Sequence, residues 1–215
     1  MTDEELKLEY LYFARAYLVM ATLGIDVLIE KELKGAFTNP VDSVIPVDHT
    51  FERNFLLAPI LYNIKHSIEI VLKTITRLLG LDFQAKHDIN LLYRVIEPKL
   101  LKITSIETQV RELGELIDKY HKNRFIIPKL NSRVFVTDEF NDLFRYPESR
   151  SIAKINFNEV FPDFNLRDLT EIKEDVSRLF NVFNEIGLQI LGLKLTREEL
   201  EDVLREYYSG SLSRE

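Results

Sequence analysis

Two histidines, a glutamate and a lysine in the middle of the chain carry the side chains best suited to chemistry. His66, Glu69 and Lys73 follow one another at intervals of three and four residues, so they share one face of a helix. His87 follows after a short loop. An imidazole can hold or transfer a proton, and a neighbouring cation can bind phosphate. We therefore expect these four side chains to lie near the shared edge of two helices.

Each of these residues also has a structural interpretation. His66 borders an apolar stripe, where hydrogen-bonded core histidines are common. Glu69 and Lys73 stand in the favourable order for an ion pair along one helix. Asp88, directly after His87, is typical of a helix N-cap. Both interpretations of the set remain open on these residues alone.

Arg145 and Tyr146 lie downstream, just before Pro147. They either join the same site or dock a short helix through tyrosine packing and an arginine ion pair. Lys65 completes the candidate ligand-binding residues, which are Lys65, His66, Glu69, Lys73, His87, Asp88, Arg145 and Tyr146.

The charge distribution favours this middle region as a binding surface. The net charge is −7, which argues against indiscriminate binding of nucleic acid. Residues 53–102 nevertheless carry 8 Lys and Arg against 4 Asp and Glu. Two acidic ends flank them, so the middle either binds an anion locally or is neutralised by the ends.

Several kinds of site are excluded or disfavoured. The chain has no cysteine, so it has neither disulfides nor thiolate ligands, and a reducing cytoplasmic compartment fits. The two Glu-x-x-His pairs of a di-iron bundle are missing. The zincin, P-loop, dinucleotide-binding and nucleophile-elbow motifs are missing too. We therefore expect neither a metal nor a cofactor.

The central residues belong to a long amphipathic helix. Its apolar positions recur every three or four residues, and they are Leu57, Leu61, Ile64, Ile68, Val71, Leu72, Ile75, Leu78 and Leu79. Gly80 supplies a stop. Thr50 is a candidate cap, and Pro59 either kinks one helix or marks a fresh start.

A first helix is predicted to run from a capping box at Thr2–Glu5 to about Lys34, where Gly35 ends it. It is apolar enough to raise the question of a membrane span. Arg15 and Asp26 interrupt the apolar run and acidic residues precede it. We expect a buried helix of a soluble protein, with no membrane contact, followed by a connector over residues 35–50.

The remaining helices are predicted from capping residues and from the spacing of apolar residues. Asp88 should cap a helix over Ile89–Glu97, closed by Pro98. Thr104–Glu107 reads as a capping box for a helix through about His121. The later predictions are a short helix over 138–145, a hairpin-like insertion around 122–157, a long helix capped by Asp163 or Asn165 and ended by Gly192, and an amphipathic helix over 196–208.

The chain resembles the HEPN (higher eukaryote and prokaryote nucleotide-binding) family across roughly residues 53–193. The resembling segments are the helix pattern His66-Ser-Ile-Glu69-Ile-Val-Leu-Lys73, then Lys86-His87-Asp88-Ile-Asn-Leu-Leu92, then Phe144-Arg145-Tyr146-Pro147. The resemblance implies an up-and-down bundle, homodimers, and roles in nucleotide or RNA binding, RNA cleavage, or toxin–antitoxin and defence systems. The family's catalytic Arg-x4-6-His motif is missing, because Arg53 and Arg111 lie too far ahead of His66 and His121.

We therefore expect a single all-α domain over residues 1–215, an up-and-down bundle of about six to seven helices. Its expected function is non-catalytic binding of a nucleotide, RNA or a protein partner such as an antitoxin. One alternative is a ribonuclease with an atypical site, since metal-independent RNA cleavage needs a base and a cation held together. The other is a purely structural interaction module.

Overall fold

Helices make up every regular element in the described part of the chain. The computed structural model describes residues 3–33, 49–81, 87–121 and 165–191. In chain order the helices are α1 Asp3–Leu33, α2 His49–Leu78, α3 Ile89–Leu100, α4 Glu107–Tyr120 and α5 Leu166–Leu191, with a 3₁₀ turn at Thr104–Ile106 before α4. The predicted all-α class is confirmed for these residues.

α1 and α2 run antiparallel and pack closely. The ring of Tyr17 lies 4.7 Å from the ring of His66, and farther along α1 Gly24 abuts Ile60 of α2. A Cβ atom on Gly24 would lie 2.7 Å from Cγ1 of Ile60, so a glycine is required for this approach. The Tyr17 contact brings α1 over the face of α2 that carries the central histidine.

α5 closes the bundle on its other side. Lys173 of α5 donates a 2.6 Å hydrogen bond to Asp26 of α1, whereas a Cβ atom on Gly187 would lie 3.2 Å from Leu11. These contacts make α5 antiparallel to α1. One apolar stripe of α5 is buried, at Leu169, Ile172, Val176, Leu179, Phe183 and Ile186.

The observed ends of α2 and α3 agree in part with the ends predicted from the sequence. Gly80 has a φ of 64° and ends α2, as predicted. Asp88 caps α3, since its Oδ1 accepts a 2.9 Å hydrogen bond from the amide of Leu91. The expected stop at Pro98 is wrong, because α3 continues to Leu100.

Pro59 lies inside α2, and no new helix starts there. The proline is exposed, and its neighbours Ile60 and Leu61 are buried, so apolar burial carries the helix through the missing hydrogen bond. The expected cap at Thr50 is wrong, because α2 already begins at His49.

The start of α4 also differs from expectation. The predicted capping box does not form the N-cap, because Thr104–Ile106 is a 3₁₀ turn and Ile106, which is fully buried, occupies the cap position without a side-chain hydrogen bond. At α5 the prediction holds for Asn165. Its Oδ1 accepts hydrogen bonds from the amides of Arg167 and Asp168.

Several predictions fall outside the described residues. They are the connector up to residue 48, the insertion over 122–157, the short helix over 138–145, the stop at Gly192 and the helix over 196–208.

α1 shows two apolar faces. One face is buried in the bundle through Ala14, Leu18, Ala21, Ile25 and Leu28, whereas Phe13, Met20, Leu23 and Val27 are exposed. By length and composition, Glu9–Leu33 could cross a membrane. In the structure 28% of its most apolar window is buried.

Candidate functional site

The carboxylate of Glu69 is the centre of the candidate site. Its side chain is 2% exposed, and Lys73 Nζ donates to Oε1 at 2.6 Å. His87 Nδ1 lies 2.7 Å from the same oxygen, and His66 Nδ1 lies 3.4 Å from Oε2. We call these four residues the Glu69 cluster. The structure thus brings together four of the residues that the sequence singled out.

Two elements position the cluster. α2 supplies Glu69, with His66 one turn before it and Lys73 one turn after it, so these three side chains meet along one helix face. His87 stands in the turn before α3, and the neighbouring Asp88 cap fixes where that helix begins. Asp88 therefore has a structural role that holds the second imidazole in place.

The electrostatic environment keeps Glu69 ionised at neutral pH. Burial acts to raise the pKa of this carboxyl, but hydrogen bonds from His66, Lys73 and His87 and the charge of Lys73 outweigh burial and hold the pKa well below its ordinary value. A buried carboxylate with fixed negative charge can orient the groups bound to it. Glu69 is thus placed to position the three donors.

Solvent reaches the cluster unequally. The exposed side-chain fractions are 42% for His87, 34% for Lys73 and 16% for His66. Two tyrosines cover His66, because Tyr62 stacks on it at 5.3 Å between ring centroids and Tyr17 meets it edge-on at 4.7 Å. His87 and Lys73 are therefore the members that a ligand in solution can reach.

Lys65 lies inside the protein, unlike the other lysine of the set. The sequence placed it on the binding surface, but its residue is 0% exposed. The physical reason is its place on the helix, since Lys65 lies one turn after the buried Leu61 and one turn before the buried Ile68. Lys65 therefore cannot meet a ligand at the surface of the described residues.

His121, which follows α4, is a functional candidate that the sequence analysis did not select. It is fully buried, and neither ring nitrogen has a hydrogen-bond partner among the described residues. Burial, and then the positive charge of Lys65, hold the pKa of His121 well below its ordinary value, while Glu69 acts in the opposite direction. The sequence carried one signal, because His121 is spaced i+4 from the apolar residue Ile117, which is buried.

A second polar network joins α4 to α5 away from the Glu69 cluster. Lys119 pairs with Asp175 and with Glu171, and the buried Tyr120 hydroxyl donates to Asp175 Oδ2 at 2.8 Å. Arg178 extends the network to α4 through Glu112 and Glu115. Because its cations and carboxylates pair with one another, we interpret this network as a structural connection between α4 and α5.

Two predicted site residues, Arg145 and Tyr146, lie outside the described residues. Within the described ranges, no group of three or more histidine, aspartate or glutamate side chains is arranged to hold a metal ion. In the Glu69 carboxylate, Oε1 accepts a hydrogen bond from the ammonium group of Lys73.

Comparison with known proteins gives no match, since neither a family model, a curated protein nor a solved structure is significantly similar to this chain.

Proposed function

We propose that this protein is a HEPN-like helical domain that binds a phosphate-bearing ligand, a nucleotide or RNA, at the Glu69 cluster without cleaving it. The complete fold in this proposal is an up-and-down bundle of about six to seven helices. The observation that supports binding is that Lys73 and His87 are both partly exposed and both held by one buried carboxylate.

The charge of the cluster explains how it would bind phosphate. Glu69 contributes one negative charge and Lys73 one positive charge, so the pair alone is neutral. Protonation of either His66 or His87 makes the cluster cationic. A phosphate would share the Lys73 ammonium and accept a hydrogen bond from an imidazolium.

The binding test uses fluorescently labelled single-stranded RNA and, separately, a panel of nucleoside mono-, di- and triphosphates. Binding is followed by anisotropy for RNA and by the shift in melting temperature for nucleotides. Lys73→Gln is expected to weaken binding about tenfold and to make the salt dependence of RNA binding shallower.

Lys173→Gln is the matched control. It also removes one lysine from a 2.6 Å pair with a carboxylate, but on α5, where Lys173 contacts Asp26. The control should bind as the unmodified protein does. Equal losses for the two variants would show a non-specific effect of charge, and no binding of any probe would leave only a structural role for the cluster.

One contact also favours a second candidate function, RNA cleavage at an atypical site. His87 Nδ1 is bonded to the buried Glu69 carboxylate while the side chain is 42% exposed. A carboxylate bound to one ring nitrogen can orient an imidazole for acid–base work through the other nitrogen. Incubation of labelled RNA without metal, with His87→Ala and His66→Ala as controls, tests this function: cleavage that is lost in His87→Ala would replace the binding proposal with the enzymatic one.

A further inference from the structure

Arg77 continues the face of α2 that carries the Glu69 cluster. It follows Lys73 by four residues, so the two side chains are neighbours about 6 Å apart along the helix axis. Glu69, Lys73 and Arg77 fall within a strip of about 80° around that axis. Arg77 is exposed, and Lys73 is partly exposed. The face of α2 that offers the Lys73 ammonium to solvent therefore offers a guanidinium one turn later.

The guanidinium of Arg77 lies against an aromatic ring. Its Cζ atom is 5.0 Å from the centroid of the ring of Tyr10, which belongs to α1. The face of a ring attracts a guanidinium but carries no formal charge, so this contact orients Arg77 without neutralising it. Arg111 and Arg178 differ, since both pair with glutamates. Among the described residues, no carboxylate forms an ion pair with Arg77.

Arg77 changes the charge of this face of α2. The charges of Glu69 and Lys73 cancel each other. Without a further cation, the face is therefore positive only when an imidazole of the cluster is protonated. An arginine side chain remains protonated in proteins. Arg77 thus gives the face a positive charge at neutral pH whatever the state of the imidazoles, and it places that charge on the C-terminal side of Lys73.

From this arrangement we infer that Arg77 binds a second phosphate, the neighbour in the chain of the phosphate bound at Lys73. The ligand is then a nucleic-acid strand with at least two consecutive phosphates, which runs along α2, and a ligand with one phosphate uses only the Lys73 end. A guanidinium suits this role, because its parallel N–H donors match two oxygens of one phosphate. The inference rests on the proposed function, whose phosphate site at Lys73 it extends.

Arg77 also stands in the last turn of α2, where a cation stabilises a helix through the helix dipole. A structural role of this kind alone would lower the melting temperature of Arg77→Gln, and it would affect all ligands of the Glu69 cluster equally. A role in binding affects ligands with two phosphates more than ligands with one. The ratio of two affinities therefore separates the two roles.

The first test measures competition with a labelled single-stranded RNA by fluorescence anisotropy. One competitor is a dinucleotide that has only its internal phosphate, and the other is the same dinucleotide with an added 5′ phosphate. The unmodified protein should bind the second competitor about tenfold more tightly. In Arg77→Gln this ratio should fall to about one. Arg167→Gln removes an exposed arginine from α5, so it is the matched control and should keep the ratio.

Salt dependence tests whether Arg77 contacts a phosphate. Each phosphate neutralised on a single strand contributes about 0.7 to the slope of log affinity against log salt concentration. Arg77→Gln should lower that slope by about 0.7, and the loss should be equal for RNA and for DNA of the same base order, because both strands carry the same phosphates. A loss confined to RNA would overturn the inference, since Arg77 would then contact the 2′-hydroxyl group.

Substitution of Tyr10 tests the role of the ring in positioning the guanidinium. Tyr10→Leu removes the ring face and should weaken binding of the dinucleotide with two phosphates roughly two- to fivefold. The conservative variant Tyr10→Phe keeps a ring face and should retain most of the affinity. Equal losses in the two variants would show that the ring does not position Arg77.

The inference and the proposed function fail in different ways. If neither RNA nor either dinucleotide binds, the proposed function is wrong, and the inference falls with it. If RNA binds and Lys73→Gln weakens binding, but Arg77→Gln changes neither the ratio nor the slope, the inference is overturned and the proposed function stands. The same holds if the unmodified protein binds both dinucleotides equally.

Discussion

His87 Nδ1 lies 2.7 Å from Oε1 of Glu69, across 18 residues of sequence. This contact connects the turn before α3 to the middle of α2, and it places an imidazole from one element beside a carboxylate buried in another. Both the stability of this region and the proposed binding depend on Glu69.

Glu69→Gln should lower the free energy of unfolding by about 2 kcal/mol at pH 7. The amide keeps the shape of the side chain, but it loses the charge that Lys73 pairs with and two imidazoles contact. Urea unfolding measures the difference. Glu107→Gln is the control, because it breaks an exposed pair with Arg111 and should cost less than about 0.5 kcal/mol. Equal losses in the two variants would contradict the central role of Glu69.

The same substitution should lose its effect in acid. The folded pKa of Glu69 is below its ordinary value of 4.5. The stability that the carboxylate contributes is therefore present above pH 4.5 and is lost as pH falls towards the folded pKa. The unfolding free energies of Glu69→Gln and the unmodified protein should approach each other below about pH 4. A difference that stays constant down to pH 3 would contradict this account.

His121→Leu should reduce the loss of stability in mild acid. The pKa of His121 lies well below 6.5 in the folded protein because of burial, so the unfolded chain gains a proton first as pH falls below 6.5. This difference costs up to about 1.4 kcal/mol per pH unit. Leucine removes that slope between pH 6.5 and 5.5, and it also removes two buried nitrogens that have no hydrogen-bond partner in the described part of the chain. Urea unfolding at both pH values measures the effect, and equal slopes in the two proteins would contradict it.

Gly114→Ala should destabilise the contact between α3 and α4 by about 1–3 kcal/mol, although alanine is the better helix former. Its Cβ would lie 2.5 Å from the hydroxyl oxygen of Tyr93, which donates a 2.8 Å hydrogen bond to the Val110 carbonyl. Thermal or urea unfolding measures the loss. In the Tyr93→Phe background the same change should cost less, because the atom in closest conflict is gone. Additive losses would show that the conflict does not exist.

Gly187→Ala provides a comparison for the preceding prediction. Its Cβ would meet the tip of the Leu11 side chain at 3.2 Å, which can move by a few tenths of an ångström. We expect a change within about 1 kcal/mol of zero.

Local signals in the sequence were sufficient for the all-α class, for some of the helix ends and for one ion pair within α2. The Asp88 and Asn165 caps, the Gly80 stop and the Glu69–Lys73 pair all depend on residues within one turn of each other. Pro98 was wrong as a stop because Leu100 is fully buried, and its packing holds the last turn.

The register between helices could not be read from the sequence. Lys65 and His121 are both fully buried and influence each other electrostatically, yet they stand on α2 and after α4. Whether they meet depends on how far one helix slides past another, which residue spacing within each helix does not specify. The same applies to Tyr17, whose ring covers His66 from α1.

Gly24 affects more than the interior of the protein. Because any side chain at this position would strike Ile60, its substitution would force α1 either to move outward or to turn about its long axis. A turn of that kind would change which residues point away from the bundle, and Met20 would no longer lie at the centre of the outward face. The absence of a side chain at Gly24, on the side of α1 that contacts Ile60, thereby sets which residues of α1 point away from the bundle.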